Sequence, residues 1–356
     1  MKYINNILSL LAPLWLLALS SCDLGAEDDC CYNVRLEYRY QRYGTLGGNE
    51  LGYYVSSLKE YVFNERDLLV AVNDYKVPHG GGDFFSEQTL SPGRYTVIST
   101  GNKNGYEQTG EEVIGETTKQ ELQLWLDNPQ SAPAAGAFPA PFAQSLMSSI
   151  QGRSDRLYYG YRSFTVGEYG VSRIAVDMTH AHCVLDITAR WRDNSGRPVM
   201  NGDEYYLTLS QVPSHYSLLP EFLVQGGLDR AVFDEGSELY PHNDRRRINY
   251  IPSVSRTEQA CHAVQGSVSP NGRGNVLRAQ FVTFRYRNDS HALLCIYSAN
   301  DGQVMKEIDL NRFFTEMGIS LDYSLCQEYS LLVEIDGDRV TVSLIQVDDW
   351  EDGGTL

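Results

Sequence analysis

The chain has 356 residues, 42% of them hydrophobic and 21% charged, and carries a net charge of −17. This composition supports a packed core, and the length suggests two domains. The negative charge excludes nucleic acid as a natural partner and disfavours adhesion to anionic headgroups, because both attract the opposite sign.

Residues 1–21 read as a bacterial lipoprotein signal peptide. Met1-Lys2 supplies a positive start, and an apolar run from Ile7 to Leu19 comes next, broken by Ser9 and Pro13. The run is shorter than the roughly 20 apolar residues a membrane span needs. It ends in Leu19-Ser20-Ser21-Cys22, with the small residues a signal peptidase accepts. The triplet before Cys22 resembles a lipobox, which makes the Cys22 thiol the expected lipidation site. Two or more acyl chains anchor a protein stably without crossing the bilayer. Residues 22–31 then form an acidic tether containing Glu27-Asp28-Asp29.

Strand signals dominate the chain beyond the tether. Val34, Leu36, Tyr38 and Tyr40 alternate with polar residues, the period of a half-buried strand. A strand over 54–63 and a turn at Asn64–Asp67 precede a second strand at Leu68–Val72. Ser91-Pro92-Gly93 turns into Tyr95–Ile98, and Leu122, Leu124 and Leu126 alternate. Four prolines in 129–141 exclude regular structure there, and Phe142, Leu146 and Ile150 suit a short helix. Alternation resumes at Leu157–Tyr159, at Ile174, Val176 and Met178, and at Cys183 to Trp191. Further strands are expected at Tyr205–Leu209, Val276–Tyr286 and Ala292–Ser298. Asp309–Met317 suits a short helix capped by Asp309. The last strands form a hairpin around Asp336-Gly337. Short, turn-punctuated strands with little helix predict an all-β fold of two β-sandwiches, over 32–169 and 170–350, with an acidic tail at 351–356.

Candidate chemistry is sparse. His79-Gly80-Gly81-Gly82 has the form of an oxyanion-hole loop, but no Gly-x-Ser-x-Gly elbow accompanies it, so it reads as a loop. His180-Ala181-His182 places two imidazoles on one side of a strand. No third ligand stands at recognisable spacing, so the pair reads as a polar turn and no metal is expected. Arg245-Arg246-Arg247 reads as an exposed loop. Asp348, Asp349, Glu351 and Asp352 lack the calcium-loop spacing. With Cys22 acylated, Cys30, Cys31, Cys183, Cys261, Cys295 and Cys326 remain. They are open to one or two disulfides or to free buried thiols, and no Cys-x-x-Cys occurs. No catalytic residue and no cofactor are expected, and core packing accounts for most of the 24 tyrosines.

The order of several segments carries more. Cys30-Cys31-Tyr32-Asn33-Val34 comes first, then Tyr61-Val62-Phe63-Asn64, then Ser91-Pro92-Gly93-Arg94-Tyr95, and Val347-Asp348-Asp349-Trp350 stands near the end. After a lipobox, this order resembles the FimB-type minor fimbrial subunits and anchors of Bacteroidetes, relatives of the fimbrillins. Asn64 stands where that family usually has Asp. The resemblance implies two tandem transthyretin-like β-sandwich domains. It also implies a non-enzymatic, outer-membrane, surface-exposed lipoprotein that binds pilin subunits by β-strand complementation. The nine residues beyond Cys22, 23–31, reach at most about 30 Å, which keeps such an anchor close to its membrane. The alternative is a surface lipoprotein that binds glycans or host ligands through exposed tyrosines.

Overall fold

The computed structural model describes residues 31–41, 48–103, 107–126, 156–192, 205–213, 215–222, 250–255, 262–265, 276–298, 304–322, 324 and 326–345. The first half holds β1 (Val34–Arg39), the single-turn helix α1 (Leu51–Tyr54), β2 (Ser57–Asn64), β3 (Leu69–Lys76), β4 (Phe84–Gln88), β5 (Gly93–Gly101), β6 (Glu107–Thr109), β7 (Gln123–Leu126), β8 (Tyr158–Val166) and β9 (Ser172–His180). The second holds β10 (His182–Trp191), β11 (Tyr205–Ser210), β12 (His215–Phe222), β13 (Tyr250–Ser255), β14 (His262–Gln265), β15 (Val276–Phe284), β16 (Leu293–Ser298), β17 (Val304–Asp309), α2 (Leu310–Glu316), β18 (Gln327–Asp336) and β19 (Arg339–Leu344).

Seven strands form one sheet in the order β3-β2-β5-β8-β9-β1-β4. Most pairs are antiparallel, but β1 runs parallel to β9. The sheet folds over on itself. Val34, Leu36 and Tyr38 of β1 share a core with Leu58 and Val62 of β2 and Val97 of β5, although these strands are far apart in sheet order. The opposite face of β2 and β5 carries Tyr61, Phe63 and Ile98. It packs into a second core that runs through the rest of the molecule.

Two four-stranded sheets, β15-β10-β18-β19 and β14-β11-β16-β17, contribute to that second core. Leu185, Ile187, Leu331 and Val333 come from the first of them, and Leu207, Leu209, Leu294 and Ile296 from the second. Phe314 of α2 joins the same core, and Asp309 caps this helix by accepting from the Arg312 amide at 3.0 Å. A fourth sheet, β13-β12-β7-β6, combines strands from both halves.

The expected division after residue 169 separates β8 from β9, which are hydrogen-bonded neighbours in one sheet. The change of sheet comes instead at Ala181, the single residue between β9 and β10. Tyr54, expected in a strand, ends α1, and β2 begins at Ser57. Hydrogen bonds from the Arg66 and Leu68 amides to Asn64 Oδ1 fix the turn before β3, with Asp67 at φ 62°. The expected lipidation site Cys22, the expected signal and tether up to Cys30, the proline-rich stretch, the helix expected at Phe142–Ile150, Arg245–Arg247, Cys261 and the acidic tail lie outside the described residues.

Candidate functional site

The passage from the first sheet to the next is tied by several hydrogen bonds. Ala181 donates its amide to the Leu157 carbonyl at 2.9 Å. Its carbonyl accepts from Tyr216 Oη at 2.5 Å, and that hydroxyl accepts from the Arg285 amide at 2.8 Å. Arg285 is buried, and its guanidinium donates to the carbonyls of His180, Leu321 and Ser324 at 3.5, 3.4 and 3.0 Å. Burial pushes that guanidinium down from its ordinary value. β9 and β10 therefore do not turn back on each other, and the polar turn expected at His180-Ala181-His182 is absent.

Both histidines are buried instead, 3% and 0% exposed, with their rings stacked 4.5 Å apart. Tyr158 meets each ring edge-on at 5.3 Å. The Tyr40 hydroxyl hydrogen-bonds Nε2 of His180. His182 Nδ1 lies 2.6 Å from the Leu157 carbonyl, which can only accept, so this nitrogen carries the proton. His182 Nε2 is buried without a hydrogen-bond partner and lies 3.8 Å from Glu328 Oε1. Parallel pairing of β10 with β18, which sets Val184 opposite Glu328, brings that carboxylate in. Glu328 stands far along the sequence from the histidine pair, so no local spacing rule reveals it.

A second buried carboxylate has a different environment. Glu60 of β2 is fully buried and accepts side-chain hydrogen bonds on both oxygens. Tyr38 Oη and Ser86 Oγ donate to Oε2, each at 2.5 Å. Asn73 Nδ2 donates to Oε1 at 2.9 Å, and Gln88 Nε2 donates to the same oxygen. These donors come from β1, β3 and β4, so the carboxylate ties the folded-over sheet together. Burial, then the facing Glu60, push the Tyr38 hydroxyl well above its ordinary value. Tyr38 and Ser86 each spend their one O–H on the carboxylate.

The remaining sequence candidates are dispersed. His79-Gly80-Gly81-Gly82 forms the loop between β3 and β4, and the His79 ring contacts Tyr53 edge-on at 5.7 Å. Cys31 is an exposed free thiol and Cys183 a buried one, and burial pushes the Cys183 thiol well up. Cys295 is buried in β16. Tyr38, Tyr61, Tyr158, Tyr159, Tyr216 and Tyr286 are fully buried, as core packing requires. Tyr53 and Tyr169 are exposed. Among the described residues, no helix is long and apolar enough to cross a membrane.

Open sheet edges are the other feature with functional potential. Among the described residues, β17 and β19 end their respective sheets. Val304 and Met305 of β17, and Ile345 just after β19, are exposed. Lys306 Nζ reaches the Asp338 carbonyl at 3.1 Å, which brings β17 beside the β18–β19 turn.

This architecture recurs in solved structures. Mfa2, the fimbrial anchor protein of Porphyromonas gingivalis, aligns with a TM-score of 0.56 at 14% identity, covering 87% of this chain and 95% of that one. A candidate polysaccharide-binding protein of Bacteroides thetaiotaomicron aligns at 0.59 and 12% identity, over 88% and 99%. A candidate adhesin of Bacteroides ovatus aligns at 0.59 and 15%, over 89% and 94%. These likenesses define the fold class, a mostly β architecture found in fimbrial and adhesin proteins. The sequence itself matches the family model "Mfa2: Fimbrillin-A associated anchor proteins Mfa1 and Mfa2" over residues 27–352, and the chain belongs to that family. By its description, the family is one of fimbrillin-associated anchor proteins. No curated protein matches the chain.

Proposed function

We propose that the protein is a lipid-anchored fimbrial anchor or minor fimbrial subunit at the cell surface, held to the outer membrane through Cys22. The observation that carries this reading is the family match over residues 27–352, which begins just after the lipobox-like Leu19-Ser20-Ser21-Cys22. We read the two halves as tandem transthyretin-like sandwiches. The partners are pilin subunits, bound by β-strand complementation. In that mode, main-chain hydrogen bonds supply affinity and alternate side-chain pockets supply register. The β17 edge supports such a mode, because a strand at the edge of its sheet offers backbone groups for pairing, here beside exposed Val304 and Met305.

Cys22→Ala tests the reading. Wild-type protein incorporates labelled palmitate, fractionates with outer membranes and co-purifies with pilin. The variant loses the label and the membrane fraction, and fimbriae are shed into the medium. A variant that still fractionates with membranes and retains fimbriae sinks the anchor reading. Glycan-array binding without a pilin partner would favour the ligand-binding alternative.

A further inference from the structure

The His180, His182 and Glu328 cluster has no part in anchoring or in strand exchange, yet its chemistry is specific. One ligand atom from each of the three residues lies within 4.8 Å of the other two. We propose that these side chains bind one Zn²⁺ ion at the passage between the two halves of the molecule.

Two neutral imidazoles and one carboxylate form a ligand set that zinc accepts, and a d¹⁰ ion tolerates whatever geometry the protein supplies. Zinc ligand distances of about 2.0–2.2 Å put ligand atoms roughly 3.4 Å apart in a tetrahedral site. The 3.8 Å from His182 Nε2 to Glu328 Oε1 is already close to that. The second observation is the state of His182. Its Nδ1 proton is committed to the Leu157 carbonyl, the outer-shell arrangement that fixes the tautomer of a metal-bound histidine and aims Nε2 at the ion. That Nε2 is fully buried, faces the carboxylate and has no hydrogen-bond partner. A buried acceptor without a partner is costly, and a metal ion removes that cost. Tyr40, bonded to Nε2 of His180, orients the other ring.

Two cations stand nearby. Arg156 Nη1 lies 3.7 Å from Glu328 Oε1 and competes with the metal for the carboxylate. Arg285 donates to the His180 carbonyl, and its charge is shared with two further carbonyls. A hard ion such as Ca²⁺ or Mg²⁺ prefers an all-oxygen shell and gains little here. A bound Zn²⁺ joins the β9–β10 passage to β18 and stiffens the point that must transmit load between the halves.

The test uses the full chain, stripped with EDTA and desalted, then titrated with Zn²⁺ by calorimetry and metal analysis. One Zn²⁺ per chain is expected, with no binding of Mg²⁺ or Ca²⁺. At 100-fold excess over its Kd, Zn²⁺ raises the unfolding midpoint by about 5 °C. His182→Gln and Glu328→Gln each lower affinity by at least about tenfold, in keeping with loss of a ligand. Glu328→Gln changes a part-exposed side chain and serves as the arbiter if His182→Gln fails to fold. Arg156→Ala tightens binding by removing the competitor. No saturable Zn²⁺ binding, or affinity unchanged in a folded Glu328→Gln, overturns the site.

Discussion

Glu60 shows how one residue can hold a sheet folded upon itself. Donors from three other strands converge on its two oxygens, in a site with no solvent exposure. Burying a carboxylate is costly unless hydrogen bonds replace its water, and here they do. Glu60→Leu strands Tyr38, Asn73, Ser86 and Gln88 without their acceptor. We expect a loss of at least about 3 kcal/mol, since each buried unsatisfied group costs about 1–3 kcal/mol. Tyr38→Phe removes one of the four donors and the acceptor of Ser99 Oγ, and should cost only about 1–2 kcal/mol. Urea unfolding of the two variants gives the comparison, and equal midpoints would refute the role assigned to Glu60. This residue is not legible in the sequence. It stands at an ordinary alternating position of β2, and its donors lie 13 to 28 residues further on or 22 before it. The same network explains why β4 has no sequence signature. Its inward residue is Ser86, not an apolar one, so Phe84–Gln88 lacks the alternation that marks β1 and β10.

At the level of elements, strands with one apolar face are readable and their pairing is not. Val34, Leu36 and Tyr38, or Cys183, Leu185 and Ile187, declare a buried face by period alone. Nothing local says that β1 runs parallel to β9, or β10 parallel to β18, because those partners stand so far off along the chain. Turns fall between these cases. Asp336-Gly337 has the composition of a hairpin centre. The register instead pairs Asp336 with Arg339, so Gly337 and Asp338 form the loop. Gly337 has φ 58° while Asp338 is not left-handed, the pattern of a type II′ turn with glycine first. A β-branched residue resists that conformation. Gly337→Val should therefore destabilise the protein by about 1–3 kcal/mol, with the change in urea midpoint as the measure. An unchanged midpoint would mean that β19 contributes nothing to the cooperative unit.

At the scale of the whole molecule, the question is whether the two halves are separate folding units. Two sandwiches that packed independently would unfold in two steps. The packing argues for one. Tyr61, Phe63, Ile98 and Tyr159 of the first sheet are buried in the core that also holds Leu207, Leu294, Leu331 and Phe314. β7 of the first half hydrogen-bonds to β12 of the second. Tyr159 Oη also donates to the Leu218 carbonyl at 2.7 Å. Exposing four large side chains costs roughly 1.5–3 kcal/mol each, together about 6–12 kcal/mol. That sum is comparable to the whole stability of a typical domain, about 5–15 kcal/mol. The first half alone should therefore fall short of a stable fold. Residues 32–180 expressed alone should bind a hydrophobic dye and aggregate, while a chain of residues 23–356 should melt in a single calorimetric transition. A soluble, monomeric 32–180 fragment with its own cooperative transition would show instead that the shared core is a docking surface between independent domains. The anchoring role proposed above gains from the single-unit arrangement. Force applied at one end must break the passage at Ala181, the shared core and the β7–β12 pairing together, so neither half can be peeled away first.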